Sequence, residues 1–366
     1  MNNQIMGPME LDLALKKVSA ASGKTVLVNQ PGFRPDTELP VVKNCFVFGG
    51  AGMGDFICYM PAMLWIARNC PWIEGWIFCP QFMVEFCDTV MQQAGFKWKV
   101  RPAEKINELN PGMCVFTGPG LTMNGQSNKQ LFNGTGGHLV DVGYAMMVNR
   151  LPLTDAERTY PQIVFSDKFD RLMKRKFDLP DKYVVLTPGA VSENRMVPGH
   201  YWNPIVDYVV SKGMTPVFLG KTQMSEKNIV KFPDGCDYDK GMDLRDDTSM
   251  LEAAWVMKHA VASLGFDNGL IHLAACTDAS IIAGYGSVHP RERRAYRPAG
   301  KWIELFDESL PCAGCQTNMK KMYPHNFKYC LYKKTGADDR TYPDLQCIDR
   351  LFANDAKLWL EALESL

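Results

Sequence analysis

The chain has 366 residues, with 46% hydrophobic and 22% charged, the balance of a globular protein rather than a disordered or fibrous one. That length suits two domains of about 150 residues each. Lys+Arg and Asp+Glu each number 40, a formal net charge of +0, which argues against a protein devoted to coating nucleic acid or an anionic membrane.

Residues 1–40 read as an N-terminal extension. It holds a short helix with Leu11, Leu13, Leu15 and Val18, then a strand over Lys24–Asn29 ended by Pro31, Gly32 and Pro35. The main fold is expected from Cys45-Phe-Val-Phe48, an apolar run of the kind found in buried parallel strands. A glycine-rich turn follows (Gly49, Gly50, Gly52, Gly54), then a helix over Asp55–Asn69. A strand at Gly75–Cys79, a helix at Gln81–Ala94 and strands at Phe96–Val100 and Met113–Thr117 come next. Residues 118–137, rich in Gly, Asn and Gln, form a long loop of the kind that carries function. A helix over His138–Arg150 and a linker over Leu151–Pro161 close the first half.

The second half repeats the alternation. Helix Asp167–Phe177, strand Tyr183–Thr187, a polar loop Pro188–Pro198 and a helix around Tyr201–Ser211 are followed by strand Thr215–Leu219 and a turn and helix after Gly220. Helix Ser249–Lys258, strand Ala260–Leu264, helix Asn268–Cys276 and strand Ser280–Tyr285 complete it, and Asp349–Leu366 has near-helical apolar spacing. Strands alternating with helices imply parallel sheets and an α/β class. The domain expectation is 1–40, 41–155, 156–310 and 311–366: an extension, two Rossmann-like domains facing a cleft, and a cysteine-containing segment with a C-terminal helix. Ligands of such domains bind at the carboxyl ends of the strands.

The first strand-turn-helix does not read as a dinucleotide site. Its glycines run G-x-G-x-G, the second strand ends in Phe78-Cys79-Pro80 without an acid for a ribose, and Asp55 stands where a pyrophosphate would sit. A nicotinamide oxidoreductase is therefore disfavoured. Asp55 reads either as a helix cap or as a general base aimed at a neutral ligand. In the second half, Thr187-Pro-Gly-Ala190 opens a plausible phosphate loop with Arg195 as its cation, or else Arg195 is a solvated surface side chain. Asp267-Asn-Gly269 begins a helix whose first N–H groups are read as open to an anion. Asp267 can cap that helix or accept a sugar hydroxyl, and His272 can be a buried structural residue.

Taken in order, these segments resemble the heptosyltransferase family of glycosyltransferases, family 9. The resemblance is carried by Gly52-Met-Gly-Asp55, Pro61-Ala62, Pro188-Gly-Ala190, Gly220 with Glu226, Thr248-Ser-Met-Leu-Glu252, Asp267-Asn-Gly-Leu-Ile-His-Leu-Ala-Ala275 and Gly284-Tyr-Gly286. It spans roughly Cys45 to Pro298 and implies a GT-B fold and an inverting transfer from a nucleotide-activated sugar, ADP-heptose-like. It puts the catalytic base on Asp55 and the donor contacts on Gly189, Arg195, Gly220, Glu226, Asp267, Asn268, Gly269 and His272. The acceptor contacts fall on Gly52, Gly54 and His138. Asn268 departs from the usual Ser or Thr, Arg195-Met-Val-Pro198 departs from a basic-Trp-Pro run, and residues 1–40 have no counterpart.

The family's usual acceptor is a growing lipopolysaccharide core, which implies peripheral contact with the inner membrane. A modified nucleic-acid base is the competing acceptor, and a non-catalytic nucleotide-sugar-binding module is the competing class. No apolar run approaches the ~18 residues of a membrane span, and Met1-Asn2-Asn3-Gln4 does not open a secretory signal. The 12 cysteines are accordingly expected to be mostly reduced thiols of a cytoplasmic protein. No cofactor is required, because Arg195 with helix amides can neutralise the leaving diphosphate and no Asp-x-Asp signature is recognised. Cys312-x-x-Cys315 with Cys330 and Cys347 is a candidate structural zinc site, with plain thiols as the alternative. Lys320, Lys321, Lys328, Lys333 and Lys334 among Tyr323, Phe327, Tyr329 and Tyr332 form a basic-aromatic stretch suited to a phosphorylated or nucleic-acid acceptor, or to a solvated face.

Overall fold

The computed structural model describes residues 26–28, 43–47, 52–69, 74–108, 114–117, 138–147, 152–191, 195–222, 229–310, 312–315 and 346–366. The helices expected near the N-terminus and after Gly220, the loop 118–137 and the stretch 320–334 lie outside the described residues. The chain divides into two compact units, with the passage between them at Ile163 and Val164.

The first unit is built on β1 (Val26–Val28), β2 (Lys43–Val47), β3 (Glu74–Cys79), β4 (Lys99–Pro102) and β5 (Cys114–Thr117). All pair in parallel, in the order β1-β5-β2-β3-β4. Its helices are α1 (Met53–Asn69), α2 (Gln81–Gln93), α3 (Leu139–Met147) and the single turn α4 (Asp155–Arg158). α1 is buried on nearly every side, from Met53 to Ala67, as its uniformly apolar sequence requires. α3 lies close to it because position 143 is glycine: a Cβ there would stand 2.7 Å from the Tyr59 ring.

The segment expected as a linker is instead fastened to the first unit. The Tyr144 hydroxyl donates to Glu157 O at 2.7 Å, Arg158 pairs with Asp141 at 2.8 Å, and buried Tyr160 shares a hydrogen bond of 2.8 Å with Cys58. Pro152 and Pro161 suggested a linker because proline breaks regular structure, but here it punctuates a packed segment.

The second unit contains α5 (Asp167–Lys176), β6 (Tyr183–Thr187), α6 (Gly199–Ser211), β7 (Thr215–Phe218), β8 (Met242–Asp243), α7 (Met250–His259) and β9 (Ala262–Phe266). It continues with α8 (Gly269–Ala274), β10 (Ile281–Gly284), α9 (Pro290–Arg293), β11 (Trp302–Leu305) and α10 (Gln346–Glu364). The sheet is parallel, in the order β11-β10-β9-β6-β7-β8. Every residue of β6, β9 and β10 is buried, the signature of a parallel sheet covered on both faces. β8 and β11 were not anticipated: one has two residues and the other is half-exposed along its length, so neither leaves a clear apolar run. Ser249 and Glu252 close a reciprocal capping box at the start of α7.

α10 is not the continuous helix its spacing suggests. Ala353–Ala356 leave helical geometry, with Asn354, Asp355 and Ala356 at positive φ. Seven residues of unbroken helix would separate Phe352 and Trp359 by about 10.5 Å along the axis. The break brings their rings to 5.0 Å, stacked, with Trp202 of α6 at 5.5 and 5.8 Å from them. This aromatic cluster sits on the sheet, where Gly284 admits the Trp359 ring: a Cβ at 284 would lie 2.7 Å from it.

The second sheet has the strand order that creates a crevice at the carboxyl ends of two neighbouring strands whose chains leave in opposite directions, β6 towards β7 and β9 towards β10. In the first sheet β2 lies between β5 and β3.

Candidate functional site

In the first unit, α1 starts at the carboxyl end of β2. The Gly52 carbonyl accepts the Phe56 N–H at 3.2 Å, so Gly52 is the N-cap and Asp55 is the third helical residue, half-buried. That corrects the capping alternative: Asp55 does not occupy the N-cap, although a carboxylate in the first turn is still favoured by the helix dipole. Gly52 is exposed, with no described atom within 4 Å of where a Cβ would stand, and Gly54 is buried. His138 is 4% exposed and caps α3, its Nδ1 accepting the Val140 N–H at 3.1 Å. That bond requires an unprotonated Nδ1.

The crevice of the second unit brings several predicted donor residues together. β6 ends at Thr187 and leads into Pro188-Gly189-Ala190; β9 ends at Phe266 and leads into Asp267. Asp267 is 4% exposed. The Arg195 guanidinium donates from Nη1 to both its carboxylate and its carbonyl, each at 3.3 Å, and His272 Nε2 stands 3.6 Å from Oδ1. Burial by itself would raise the Asp267 pKa; the His272 imidazole and the Arg195 and Arg293 guanidiniums outweigh it and hold the carboxyl well below the usual range. Asp267 is therefore ionised at neutral pH.

Two readings are corrected here. The Leu270 and Ile271 amides of the first turn of α8 are not open to an anion, because the Asn268 side-chain oxygen accepts from Leu270 N at 3.0 Å and from Ile271 N at 3.1 Å. The residue that caps the helix is Asn268, not Asp267. Asparagine reaches over the helix end, while Asp267 is turned to its cationic partners.

Gly189 and Gly220 stand at the carboxyl ends of β6 and β7, and the Phe232 ring covers both. A Cβ on Gly189 would lie 2.9 Å from it and one on Gly220 2.3 Å. Glycine at both positions thus has a packing reason. The loop after β6 is held by an antiparallel bridge, with Ala190 and Lys231 exchanging N–H···O bonds of 3.1 and 3.0 Å. Glu226 lies outside the described residues.

Contrary to the sequence reading, one Asp-x-Asp triplet exists, Asp237-Tyr238-Asp239. It precedes β8, at the amino end of that strand and away from the crevice, and Asp237 is paired with Lys240 at 2.7 Å. Sequence reasoning also missed Phe232 and Arg293, and it took Thr187 only as a strand end. Each acts through a neighbour distant in sequence, so no local pattern marks it. Among the described residues no three His, Cys, Asp or Glu stand close enough to hold a metal ion, and no helix is long and apolar enough to cross a membrane. Cys330 lies outside the described residues.

Two Rossmann-like units with parallel sheets, with an acid in the first turn of the first helix and an Arg-Asp-His group at the crevice of the second, give the architecture of the GT-B type. The model of glycosyltransferase family 9 (heptosyltransferase) matches residues 133–323, more than half of the chain; the chain belongs to this family. Among solved structures, it is similar to the iron-containing dodecameric glycosyltransferase TibC from enterotoxigenic E. coli H10407. The two are 14% identical over 89% of this chain and 78% of that one, with a TM-score of 0.62. It is similar also to E. coli ADP-heptose lps heptosyltransferase II, at 15% identity, 73% and 91% coverage and a TM-score of 0.53. A glycosyltransferase family 9 protein from Veillonella parvula DSM 2008 aligns at 14% identity, 90% and 99% coverage and a TM-score of 0.55. No curated protein matches the sequence.

Proposed function

We propose that this glycosyltransferase moves a heptose-like sugar from an ADP-linked donor to an acceptor hydroxyl with inversion and without a catalytic metal. The observation that carries the donor side is the buried Asp267 carboxylate held between Arg195 and His272 at the crevice of the second unit. A crevice at a switch point is where nucleotides bind in such sheets, and a guanidinium at its lip suits a diphosphate. TibC has been solved in complex with ADP-D-beta-D-heptose, which supports the choice of donor. Gly189, Gly220, Glu226, Gly269 and His272 complete the proposed donor site; Gly52, Gly54 and His138 lie on the proposed acceptor side. Asp55 takes the proton of the acceptor hydroxyl as its oxygen attacks the anomeric carbon. Arg195 stabilises the negative charge that grows on the departing diphosphate. The acceptor is read as a glycan or lipid-linked acceptor met by peripheral contact with the inner membrane, with a nucleic-acid base as the second class.

Calorimetric titration of Arg195→Ala with ADP and with adenosine tests this reading. Loss of a charge-assisted contact of about 1.5–3 kcal/mol should weaken ADP at least tenfold and leave adenosine nearly unchanged. Equal losses for both would take Arg195 away from the phosphates.

We further propose that Cys312, Cys315, Cys330 and Cys347 close on one structural metal, zinc by the preference of four thiolates, or iron, as TibC is described, although without metal the three described thiols are not gathered into a ligating group. In support, two described parts of the set border one glycine. The Gly314 N–H of the Cys312–Cys315 turn donates to Gly286 O at 2.9 Å, and Cys347 Sγ packs on Gly286 where a Cβ would lie 2.7 Å away. The metal would brace the loop after β10 and take no part in transfer. Elemental analysis of protein prepared without chelator should find about one metal per chain, and Cys315→Ser should release it. Metal-free protein with four titratable thiols would leave them as plain cysteines.

A further inference from the structure

The side chain of Asn268 uses every hydrogen-bonding function it has. A carboxamide offers two N–H donors and an oxygen with two acceptor positions. Nδ2 donates to the Thr187 carbonyl at 3.0 Å and to Thr187 Oγ1 at 3.1 Å, while Oδ1 accepts the Leu270 and Ile271 N–H groups at 3.0 and 3.1 Å. Thr187 is 1% exposed, and its hydroxyl donates onward to Leu264 O of β9 at 3.2 Å. Gly265 makes room for this: a Cβ there would stand 2.1 Å from Thr187 Oγ1. One asparagine thus ties the end of β6 to the start of α8, at the point where the two chains diverge.

The consequence reaches both groups of the crevice. The loop that leaves Thr187 delivers Arg195, and the residue before Asn268 is Asp267. We propose that Asn268 is a positioning residue of the donor site, setting the Arg195 loop against Asp267, and that it makes no contact with the donor itself. This rests on the donor reading of the second unit. A serine at 268 would still accept an amide of α8, but its hydroxyl stands one bond from Cβ and falls short of Thr187. Aspartate would keep the shape and both helix bonds while lacking the two donors.

Two measurements on Asn268→Ser and Asn268→Asp test the proposal. In hydrogen exchange, peptides covering 187–198 should exchange faster than in the wild type, while those covering 269–274 keep their protection. Unchanged exchange over 187–198 in both variants overturns the tie, whether or not ADP binds. In calorimetry with ADP, Asn268→Ser should lose roughly tenfold in affinity, because its effect runs through one charge-assisted partner. In an Arg195→Ala background the same substitution should cost little more, since residues acting through one another are not additive. Full additivity would mean that Asn268 touches ADP directly and would overturn the positioning role. Wild-type protein that fails to bind ADP would overturn the donor reading instead, and the exchange result then decides the tie alone.

Discussion

Asp55→Asn is expected to lower the rate of sugar transfer by about 10²–10⁴, the usual loss when a general base is removed, with ADP affinity nearly unchanged. The amide keeps the size of the side chain at the third position of α1 but cannot take the acceptor proton. A purely structural Asp55 would behave differently. Its loss would cost only the dipole interaction, about 0.3–1 kcal/mol, and would appear as a small fall in Tm with turnover intact. Steady-state kcat, ADP titration and thermal melting of the one variant separate the two. Turnover close to the wild-type rate would remove Asp55 from the chemistry.

The largest effect on stability should come from Trp359→Ala. Trp359 is fully buried, stacks on Phe352 and lies against Trp202 and Gly284. Truncating such a ring leaves a cavity and typically costs about 3–5 kcal/mol, to be read from the midpoint of a urea transition. Trp359→Phe should cost far less. The indole N–H is buried without a hydrogen-bond partner, a burden of about 1–3 kcal/mol that phenylalanine does not carry, so part of the lost packing is returned. A Phe variant as unstable as the Ala variant would show that the indole's full width is needed against Gly284. Because α10 belongs to the core of the second unit, donor binding should weaken in parallel with stability for Ala and hold for Phe.

The α/β character of both units was legible along the chain because a covered parallel strand is a nearly continuous apolar run, as in Tyr183–Thr187 and, but for Ser263, Ala262–Phe266. Such runs need no tertiary information to be seen. Asp55, Arg195, Asp267 and His272 could be singled out for a related reason. Each follows a strand end, and the carboxyl ends of parallel strands are where a chain can hold a ligand. Short or half-exposed elements were not legible: β8 and β11 have too little buried surface to impress a pattern on their residues.

What no local pattern carries is how groups distant in sequence share hydrogen bonds and space. Asp267 read as a cap of α8 or a sugar contact, yet Asn268 is the cap, and its amide is held by Thr187, 81 positions away. Gly189 and Gly220 were given donor contacts by the family resemblance, yet Phe232 packs on both. Phe352 and Trp359 read as one helical stripe, yet the packing of both rings with Trp202 goes with a backbone break between them. Sequence by itself determined which segments are buried and which strand ends carry chemistry, since burial and charge are properties of single residues and their near neighbours. The tertiary structure alone decided which polar groups satisfy one another, because a hydrogen bond depends on positions in space that the linear spacing of residues does not contain.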